Sequence, residues 1–254
     1  MVVYFSGTGN TEHVARTLGD IICEPVVSVT DVKSENLELR GEKLVLAFPI
    51  YCWGVPPIVL DYIASLPERF IAEVKERGVP VVMVCTCGDD TGMAPEMLAG
   101  ALAARGLELR GAWSVTMPNT YVILPGFDVD SSKVTLGKLE EAAPRIAAIA
   151  AMIERGEWEM DVHRGSFPWF KTKVIYPMKR TWAVNPRKFR TTQECVRCGR
   201  CVTVCPTGNV KMKSGQPAWG PDCAGCLACY HHCPTHAIEY GNRTNNKGQY
   251  FFNS

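Results

Sequence analysis

The residues best suited to chemistry in this chain are eight cysteines in its last quarter, arranged in two copies of one spacing. The copies run Cys195-x₂-Cys198-x₂-Cys201-x₃-Cys205 and Cys223-x₂-Cys226-x₂-Cys229-x₃-Cys233, and a proline follows each fourth cysteine. This spacing is typical of thiolate ligands for [4Fe–4S] clusters, and the fourth cysteine of each run ligates the other cluster in two-cluster domains. The sequence therefore predicts two [4Fe–4S] clusters, one held by Cys195, Cys198, Cys201 and Cys233, the other by Cys223, Cys226, Cys229 and Cys205.

The two runs also agree beyond their cysteines, since Pro-Thr follows Cys205 and Cys233 alike. This internal repeat indicates a pseudo-symmetric pair of half-domains. Disulfides are disfavoured because they need an oxidising compartment, and the N-terminus carries no charged leader followed by an apolar run. Zinc is disfavoured because its sites use pairs of cysteines rather than ladders of four.

Charge is unevenly distributed along the 254 residues, although the whole chain carries only +1. Residues 1–155 carry −7, residues 156–190 carry +5 and residues 191–254 carry +3. This asymmetry predicts an acidic first domain, a basic connector and an iron–sulfur domain with these boundaries, and it argues against nucleic acid as a partner of the acidic domain. No apolar run reaches the length of a membrane span, so we expect a soluble, cytoplasmic protein.

The first domain alternates apolar strands with helical segments, which predicts an α/β fold with a doubly wound parallel sheet. Continuous apolar strands indicate a sheet that is covered on both faces. The expected strands are Met1–Phe5, Lys43–Phe48, Val79–Cys85 and Gly111–Met117. The expected helices are Thr11–Leu18, Pro56–Leu66, Gly92–Arg105 and Ser132–Arg155, the last interrupted by Pro144.

A loop of small polar residues, Ser6-Gly-Thr-Gly-Asn-Thr11, lies directly after the first strand and opens a helix. Its glycines let backbone amides approach an anion, and the helix N-terminus adds positive potential. The hydroxyls of Ser6, Thr8 and Thr11 and the amide of Asn10 can donate to phosphate oxygens. The loop lacks the Gly-Lys-Ser/Thr of a P-loop and the G-x-G-x-x-G of a dinucleotide fold.

The segment Phe5–Thr11 resembles the FMN-phosphate loop of flavodoxins, which binds phosphate without a basic side chain. Later pairs resemble the flavodoxin loops that hold the isoalloxazine: Trp53-Gly54 within 48–57, and Gly88-Asp89 within 85–90. The resemblance implies a five-stranded flavodoxin-like sheet and bound FMN. The residues expected to contact FMN are Ser6, Gly7, Thr8, Gly9, Asn10, Thr11, Pro49, Ile50, Tyr51, Cys52, Trp53, Gly54, Thr86, Cys87, Gly88, Asp89, Asn119 and Tyr121.

Within this set, Tyr51 or Trp53 is expected to stack on the flavin. Flavodoxins usually place a stacking tyrosine at the end of the second loop, and this chain has none there, so Tyr121 is the alternative. Asp89 and Asp90 are expected to lower the flavin potential. The other free cysteines, Cys23, Cys52, Cys85 and Cys87, are expected to be small buried thiols.

Residues 191–241 resemble the clostridial-type 2[4Fe–4S] ferredoxins. The full order is similar to flavodoxin–ferredoxin fusion proteins of anaerobic bacteria and archaea, which implies FMN together with two clusters. Residues 162–193 contain no acid, eight bases and six aromatics. We expect these aromatics to be buried between the domains while the bases face the acidic domain, with recruitment of an acidic redox protein as the alternative. His231 and His232 are expected to face solvent.

These features predict an electron-transfer flavoprotein that passes low-potential electrons between two [4Fe–4S] clusters and FMN, and on to a redox partner. No residue is predicted to be catalytic. One alternative is a flavin-dependent reductase of a small organic acceptor, with Tyr51, Cys87 or Tyr121 as its acid. Another is a redox sensor or scaffold whose clusters do not exchange electrons with FMN. The sequence leaves the partner's identity and the oligomeric state open.

Overall fold

The computed structural model describes residues 1–177 and 184–252. In these residues a parallel sheet of six strands runs in the order β2-β1-β3-β4-β5-β6. The strands are β1 Val2–Tyr4, β2 Val26–Ser28, β3 Leu44–Pro49, β4 Val81–Cys87, β5 Leu109–Thr116 and β6 Met160–Asp161. The first five have the flavodoxin-like order, in which ligands bind where the order reverses, between β1 and β3. The sheet is flavodoxin-like as expected, and the two-residue β6 extends it by pairing with Ala112 and Trp113 of β5.

Helices cover both faces of this sheet and produce a three-layer α/β domain. They are α1 Asn10–Ile21, α2 Pro57–Ala64, α3 Glu68–Glu76, α4 Ala94–Ala103 and α5 Ser132–Arg155. One core packs α2, α3 and α4 against the sheet, and a second core packs α1 and α5 against the other face. The expected interruption at Pro144 is absent, since α5 continues through this proline to a C-cap at Gly156.

The C-terminal domain is built from short elements around the cysteine runs. The connector contributes the short helix α6 Pro168–Phe170, which continues as a π-helix over Lys171–Ile175. Strands β7 Phe189–Thr191 and β10 Ile238–Tyr240 pair antiparallel, as do β8 Val210–Lys213 and β9 Gln216–Trp219. The helices α7 Arg200–Thr203 and α8 Ala228–His231 lie within the two cysteine runs.

A loop of the first domain completes the core of the second. Val122 and Ile123 follow β5, and both are buried in a cluster with Phe189, Tyr230 and Ile238. The two domains therefore share packed apolar surface. Among the described residues, no helix is both long enough and apolar enough to cross a bilayer.

Candidate functional site

A cavity opens at the carboxyl ends of β1, β3 and β4, beside the point where the strand order reverses. Sixteen of the eighteen residues that the sequence predicts to contact FMN line this cavity, and only Gly9 and Gly54 do not. Cys223, Ala224, Gly225, Cys226 and Leu227 of the second cysteine run line it as well. The structure thus brings the predicted flavin loops and one cysteine run to a single site.

The loop after β1 is held in place by the left-handed Gly9 and by its own hydrogen bonds. Gly9 has φ +89° and caps α1, a conformation that favours glycine, and its N–H donates to Ser6 Oγ at 3.2 Å. The Thr11 and Thr86 hydroxyls lie 2.7 Å apart and join the loop to β4. The Asn10 side chain donates to the Pro118 carbonyl at 2.9 Å, so it supports the neighbouring loop.

No lysine or arginine is found among the described residues that line the cavity, and Asp89 and Asp90 are its charged members. An anion bound at the loop after β1 would therefore be held by backbone amides, hydroxyls and the N-terminus of α1. This donor set fits the phosphate of FMN, but the Asn10 amide, expected to donate to the phosphate, donates instead to the Pro118 carbonyl.

A strained turn forms one wall of the cavity. Tyr51 and Gly54 exchange backbone hydrogen bonds of 3.0 and 3.1 Å, while the two residues between them, Cys52 and Trp53, have φ of +49° and +64°. Each left-handed non-glycine residue costs about 1–3 kcal/mol, and such strain is concentrated at functional sites. The turn directs Trp53 toward Phe127, at a centroid distance of 6.5 Å, and the ring of Tyr121 also contacts Phe127, at 6.1 Å.

The second predicted loop presents two carboxylates in different environments. Asp89 accepts a hydrogen bond of 3.1 Å from the Asn119 amide. Asp90 forms an ion pair of 2.5 Å with Lys171, whose ammonium also lies 5.2 Å from the Trp53 ring centroid. The Asp90 charge is therefore balanced by the connector, so the expected lowering of the flavin potential rests on Asp89.

One polar atom of this loop fits a ligand with an N–H group. The second oxygen of Asp90, Oδ1, is buried without a hydrogen-bond partner among the described residues, and Asp90 lines the cavity. A buried acceptor left in this state is costly, and a donor such as the imide N–H of an isoalloxazine would satisfy it. The residues present therefore fit a flavin.

The connector closes the cavity from the side of the Trp53 turn. Thr172 donates to the Trp53 carbonyl at 2.7 Å and accepts from Met93 N–H at 2.8 Å. Tyr176 donates to the Val55 carbonyl at 2.6 Å. These contacts agree with the expectation that the connector docks on the acidic domain, as do the ion pairs of Lys171 with Asp90 and of Arg164 with Glu96.

The aromatic residues of the connector do not all behave as expected. Tyr176 and Phe189 are buried, but Phe167, Trp169 and Phe170 are 79, 61 and 52% exposed. The expectation of burial is wrong for these three, because the contacts to the Trp53 turn are made by the π-helix that follows them. Lys179, Arg180 and Trp182 lie outside the described residues.

The first cysteine run surrounds a separate pocket together with the last cysteine of the second run. This pocket is lined by Cys195, Cys198, Cys201 and Cys233, the four cysteines expected to share a cluster. Among the described residues no three histidine, cysteine or acidic side chains converge as a single metal ion requires. A cubane is larger than one ion, so its four ligands can lie further apart.

The fourth cysteines occupy equivalent environments in the two halves of the repeat. Asn209 N–H lies 3.3 Å from Cys205 Sγ, and Ala237 N–H lies 3.3 Å from Cys233 Sγ. Burial raises the pKa of Cys201 and Cys223, and it raises that of Cys226 to about 12. These thiols are neutral without metal, so iron binding must release their protons.

Residues that the sequence did not single out tie the second domain to the loop after β1. Phe252 N–H donates to the Thr8 carbonyl at 2.7 Å, and its ring stacks on His13 at 4.2 Å. The Tyr250 hydroxyl lies 3.3 Å from Asn10 Oδ1. The aromatic run Tyr250–Phe252 at the end of the described chain is the only sequence signal of this contact.

His231 is also part of this connection, and the expectation that it faces solvent is wrong. It is 1% exposed, with Nε2 2.7 Å from the Thr120 carbonyl and Nδ1 accepting from Tyr250 N–H at 3.2 Å. Burial lowers its pKa to about 4, so the ring is neutral at pH 7. His232 is half-buried and stacks on Phe251 at 4.3 Å.

The four cysteines outside the runs differ in their environments. Cys85 and Cys87 are buried as expected, and burial raises the pKa of Cys87 to about 12. Cys52 is half-buried at the cavity wall. Cys23 is exposed, so the expectation of a buried thiol is wrong at this position.

Comparison with known proteins identifies the C-terminal segment. Residues 194–238 match the family model of the 4Fe-4S dicluster domain. A 52-residue stretch, 20% of this chain, is 35% identical to polyferredoxin protein MvhB of Methanothermus fervidus and spans 13% of that protein's length. The matched relative is therefore much longer than the region it shares with this chain.

Two solved structures resemble the first domain at low identity. A flavodoxin from the domain Archaea is 18% identical, covers 59% of this chain and 96% of its own, and has a TM-score of 0.36. The Trp repressor binding protein of Bacillus subtilis is 13% identical, covers 61% of this chain and 99% of its own, and has a TM-score of 0.39. The strand order of the sheet carries the fold assignment here. The chain thus joins a flavodoxin-like α/β domain to a C-terminal 4Fe-4S ferredoxin domain, an arrangement that supports a role in electron transfer.

Proposed function

We propose that this protein passes low-potential electrons between two [4Fe–4S] clusters and FMN, and on to a redox partner. The observation that carries the proposal is the cavity shared by the loop after β1, the Trp53 turn and the second cysteine run. FMN exchanges two electrons in one-electron steps, and each cluster carries one electron. The division of the chain is proposed to be 1–155 for FMN, 156–190 for the connector and 191–254 for the clusters.

The proposed ligand sets are the two predicted from the cysteine spacing; Cys223 and Cys226 of one set line the flavin cavity, and the four cysteines of the other set line the separate pocket. The inner cluster, held by Cys223, Cys226, Cys229 and Cys205, belongs beside the flavin cavity. The outer cluster, held by Cys195, Cys198, Cys201 and Cys233, belongs in the separate pocket. FMN is assigned to the eighteen residues named from the sequence, of which Ser6–Thr11 hold the phosphate and the later loops hold the ring.

The chain's own residues hold the flavin site against the inner cluster. Tyr51 lies between the Phe5 ring, 6.3 Å away, and the second cysteine run. Its pKa is raised well above its usual value by burial and then by Cys226 and Cys223, so its hydroxyl stays protonated. The close approach of Gly7 in the loop after β1 to Cys226 also brings the two redox sites near each other, which favours direct electron exchange.

The reductase alternative receives less support from this geometry. Burial raises the pKa of each of its three acid candidates, Tyr51, Cys87 and Tyr121, which makes them weak acids at neutral pH. The connector and the second cysteine run also line the cavity where an acceptor would bind, so they restrict the space open to it.

An anaerobic reductive titration of protein reconstituted with FMN, iron and sulfide tests the proposal. The expected uptake is about four electrons per chain, two for FMN and one for each cluster. Flavin absorbance and the electron paramagnetic resonance of the clusters report the two kinds of site separately. Failure to bind FMN, or uptake of iron for one cluster only, would contradict the assignment.

A further inference from the structure

The two cysteine runs carry different residues at equivalent positions of one repeat. The first run reads Cys195-Val-Arg-Cys-Gly-Arg-Cys201, and the second reads Cys223-Ala-Gly-Cys-Leu-Ala-Cys229. Arg197 is thus equivalent to Gly225, and Arg200 is equivalent to Ala228. Because the two runs share one backbone arrangement, we relate the difference in their side chains to the different surroundings of each run.

The second run faces protein, and at Gly225 and Ala228 it has no space for a long side chain. Ala224 and Cys226 pack against the core of the first domain. A Cβ at Gly225 would lie 2.9 Å from Val184 Cγ2, and Ala228 is fully buried. Small neutral residues are therefore required at positions 225 and 228, whereas Leu227 of the same run is buried in the core of the second domain.

The first run faces solvent and carries a strained arginine. Arg197 has φ +58°, close to the +71° of Gly225, so both residues occupy the left-handed region. This conformation costs an L-residue about 1–2 kcal/mol, whereas glycine adopts it freely. Arg197 is exposed, and its Nη1 would lie 3.7 Å from a Cβ at Gly215 in the β8–β9 turn. The strain is thus not offset by burial of the side chain.

The surface around Arg197 has an apolar centre and a cationic rim. Val196 and Met212 are 62 and 38% exposed, and both line the outer pocket, so they lie between its cysteines and solvent. Residues 191–219 contain four bases and one acid, Glu194. The four bases are Arg197, Arg200, Lys211 and Lys213. None of them forms an ion pair with an acid in the described parts of the chain.

We propose that this outer-cluster face, formed by Val196, Arg197, Arg200 and Met212, docks an acidic electron-carrier protein. The apolar centre gives close contact over the cluster site, and the unpaired bases steer and orient a partner of opposite charge. One electron leaves the partner's reduced centre, which is oxidised, and enters the outer cluster, which is reduced, and no proton moves. The inference rests on the proposed function, since it needs the outer cluster.

Binding is tested without turnover, using the oxidised holoprotein and an acidic clostridial-type 2[4Fe–4S] ferredoxin as the probe in isothermal titration calorimetry at low ionic strength. The double variant Arg197→Gly, Arg200→Gln should weaken the affinity about tenfold, and added salt should reduce the difference because it screens the rim charges. Glycine at 197 relieves the left-handed strain, so folding is expected to be preserved. The matched control, Lys75→Gln with Lys133→Gln, removes two exposed charges of the first domain and should change the affinity less than twofold.

An affinity of the arginine variant within twofold of the wild type, or an equal loss in the lysine control, would overturn the docking assignment. Stopped-flow reduction then separates this assignment from the proposed function. The bimolecular phase with reduced ferredoxin should slow about tenfold in the arginine variant, while reduction by the cationic methyl viologen radical should not slow. The later flavin phase, which is intramolecular, should be unchanged; its absence from the wild type would refute the proposed electron path but would leave the binding result intact.

Discussion

Gly7 of the loop after β1 lies directly against Cys226 of the second cysteine run: a Cβ at Gly7 would come within 2.5 Å of Cys226 Cβ and 3.2 Å of its Sγ. A residue expected to hold the FMN phosphate and a residue expected to hold the inner cluster are therefore in van der Waals contact. The two cofactor sites are linked through this pair, and a change on one side must be felt on the other.

Replacing Gly7 by alanine should disturb both sites at once. Contacts below 3.0 Å between carbon atoms cannot be kept, so either the loop or the cysteine run must shift. We expect Gly7→Ala to weaken FMN binding about tenfold, which corresponds to about 1.4 kcal/mol, measured by flavin fluorescence titration of the cluster-loaded protein. The control is Gly137→Ala in α5, where an added Cβ meets nothing within 4 Å. Equal FMN affinities in the two variants would show that the Gly7–Cys226 contact is dispensable.

The connector should stabilise the Trp53 turn through Thr172, which is 2% exposed. Thr172→Val keeps the shape of the side chain but leaves the Trp53 carbonyl and Met93 N–H without their partner. The expected loss is about 2 kcal/mol, or roughly 4–8 °C in Tm, measured by anaerobic thermal unfolding. Thr135→Val, on the half-buried surface of α5, should change Tm by less than about 2 °C. A Tm for Thr172→Val equal to that of this control would count against docking of the connector.

The exchange of fourth cysteines between the runs gives a spectroscopic prediction. Cys233→Ser should remove or alter the same cluster as Cys195→Ser, because both residues line the outer pocket. Cys205→Ser should instead affect the inner cluster, together with Cys223→Ser. Mössbauer and electron paramagnetic resonance spectra should therefore group the four variants in these two pairs. Grouping by run, with Cys205→Ser resembling Cys195→Ser, would disprove the exchanged ligand sets.

His231 should stabilise the contact between the domains as a neutral ring. His231→Phe keeps an aromatic ring but strands the Thr120 carbonyl and Tyr250 N–H, and the expected loss is about 2 kcal/mol in a buried site. This loss of stability is measured as a lower Tm and as faster amide hydrogen exchange over residues 118–123 and 249–252. His163→Phe, at an exposed position, is the control. Unchanged exchange in both segments would contradict the role assigned to His231.

The sequence predicted most of the residues that line the two pockets, because motifs of consecutive residues fix local geometry. The two cysteine runs, the Ser6–Thr11 loop and the Trp53-Gly54 pair carry their meaning in consecutive residues, and the first domain's longer strands are read from continuous apolar runs. Strand β2 and helix α3 were missed. Strand β2 is three residues long, too short for a periodic signal, whereas α3 does carry a helical apolar face, formed by Phe70, Ile71 and Val74.

Contacts between segments that are distant in the chain could not be predicted from the local sequence. Nothing local to Lys171 indicates Asp90 as its partner, and nothing local to Phe252 indicates Thr8. The predictions that Trp169 is buried and that His231 faces solvent were wrong for the same reason. Each depends on which surface the second domain presents to the first. Composition alone could suggest that the connector docks, but not which of its aromatic residues make the contact.

The central claim is that electrons pass between the inner cluster and FMN within one molecule. Its most direct test is anaerobic stopped-flow or flash reduction of the fully reconstituted protein, following cluster and flavin absorbance over a range of protein concentrations. Oxidation of the clusters and reduction of the flavin at one common rate, independent of protein concentration, is the result that the shared cavity predicts. A rate that rises with protein concentration, or clusters that stay reduced beside an oxidised flavin, would contradict it.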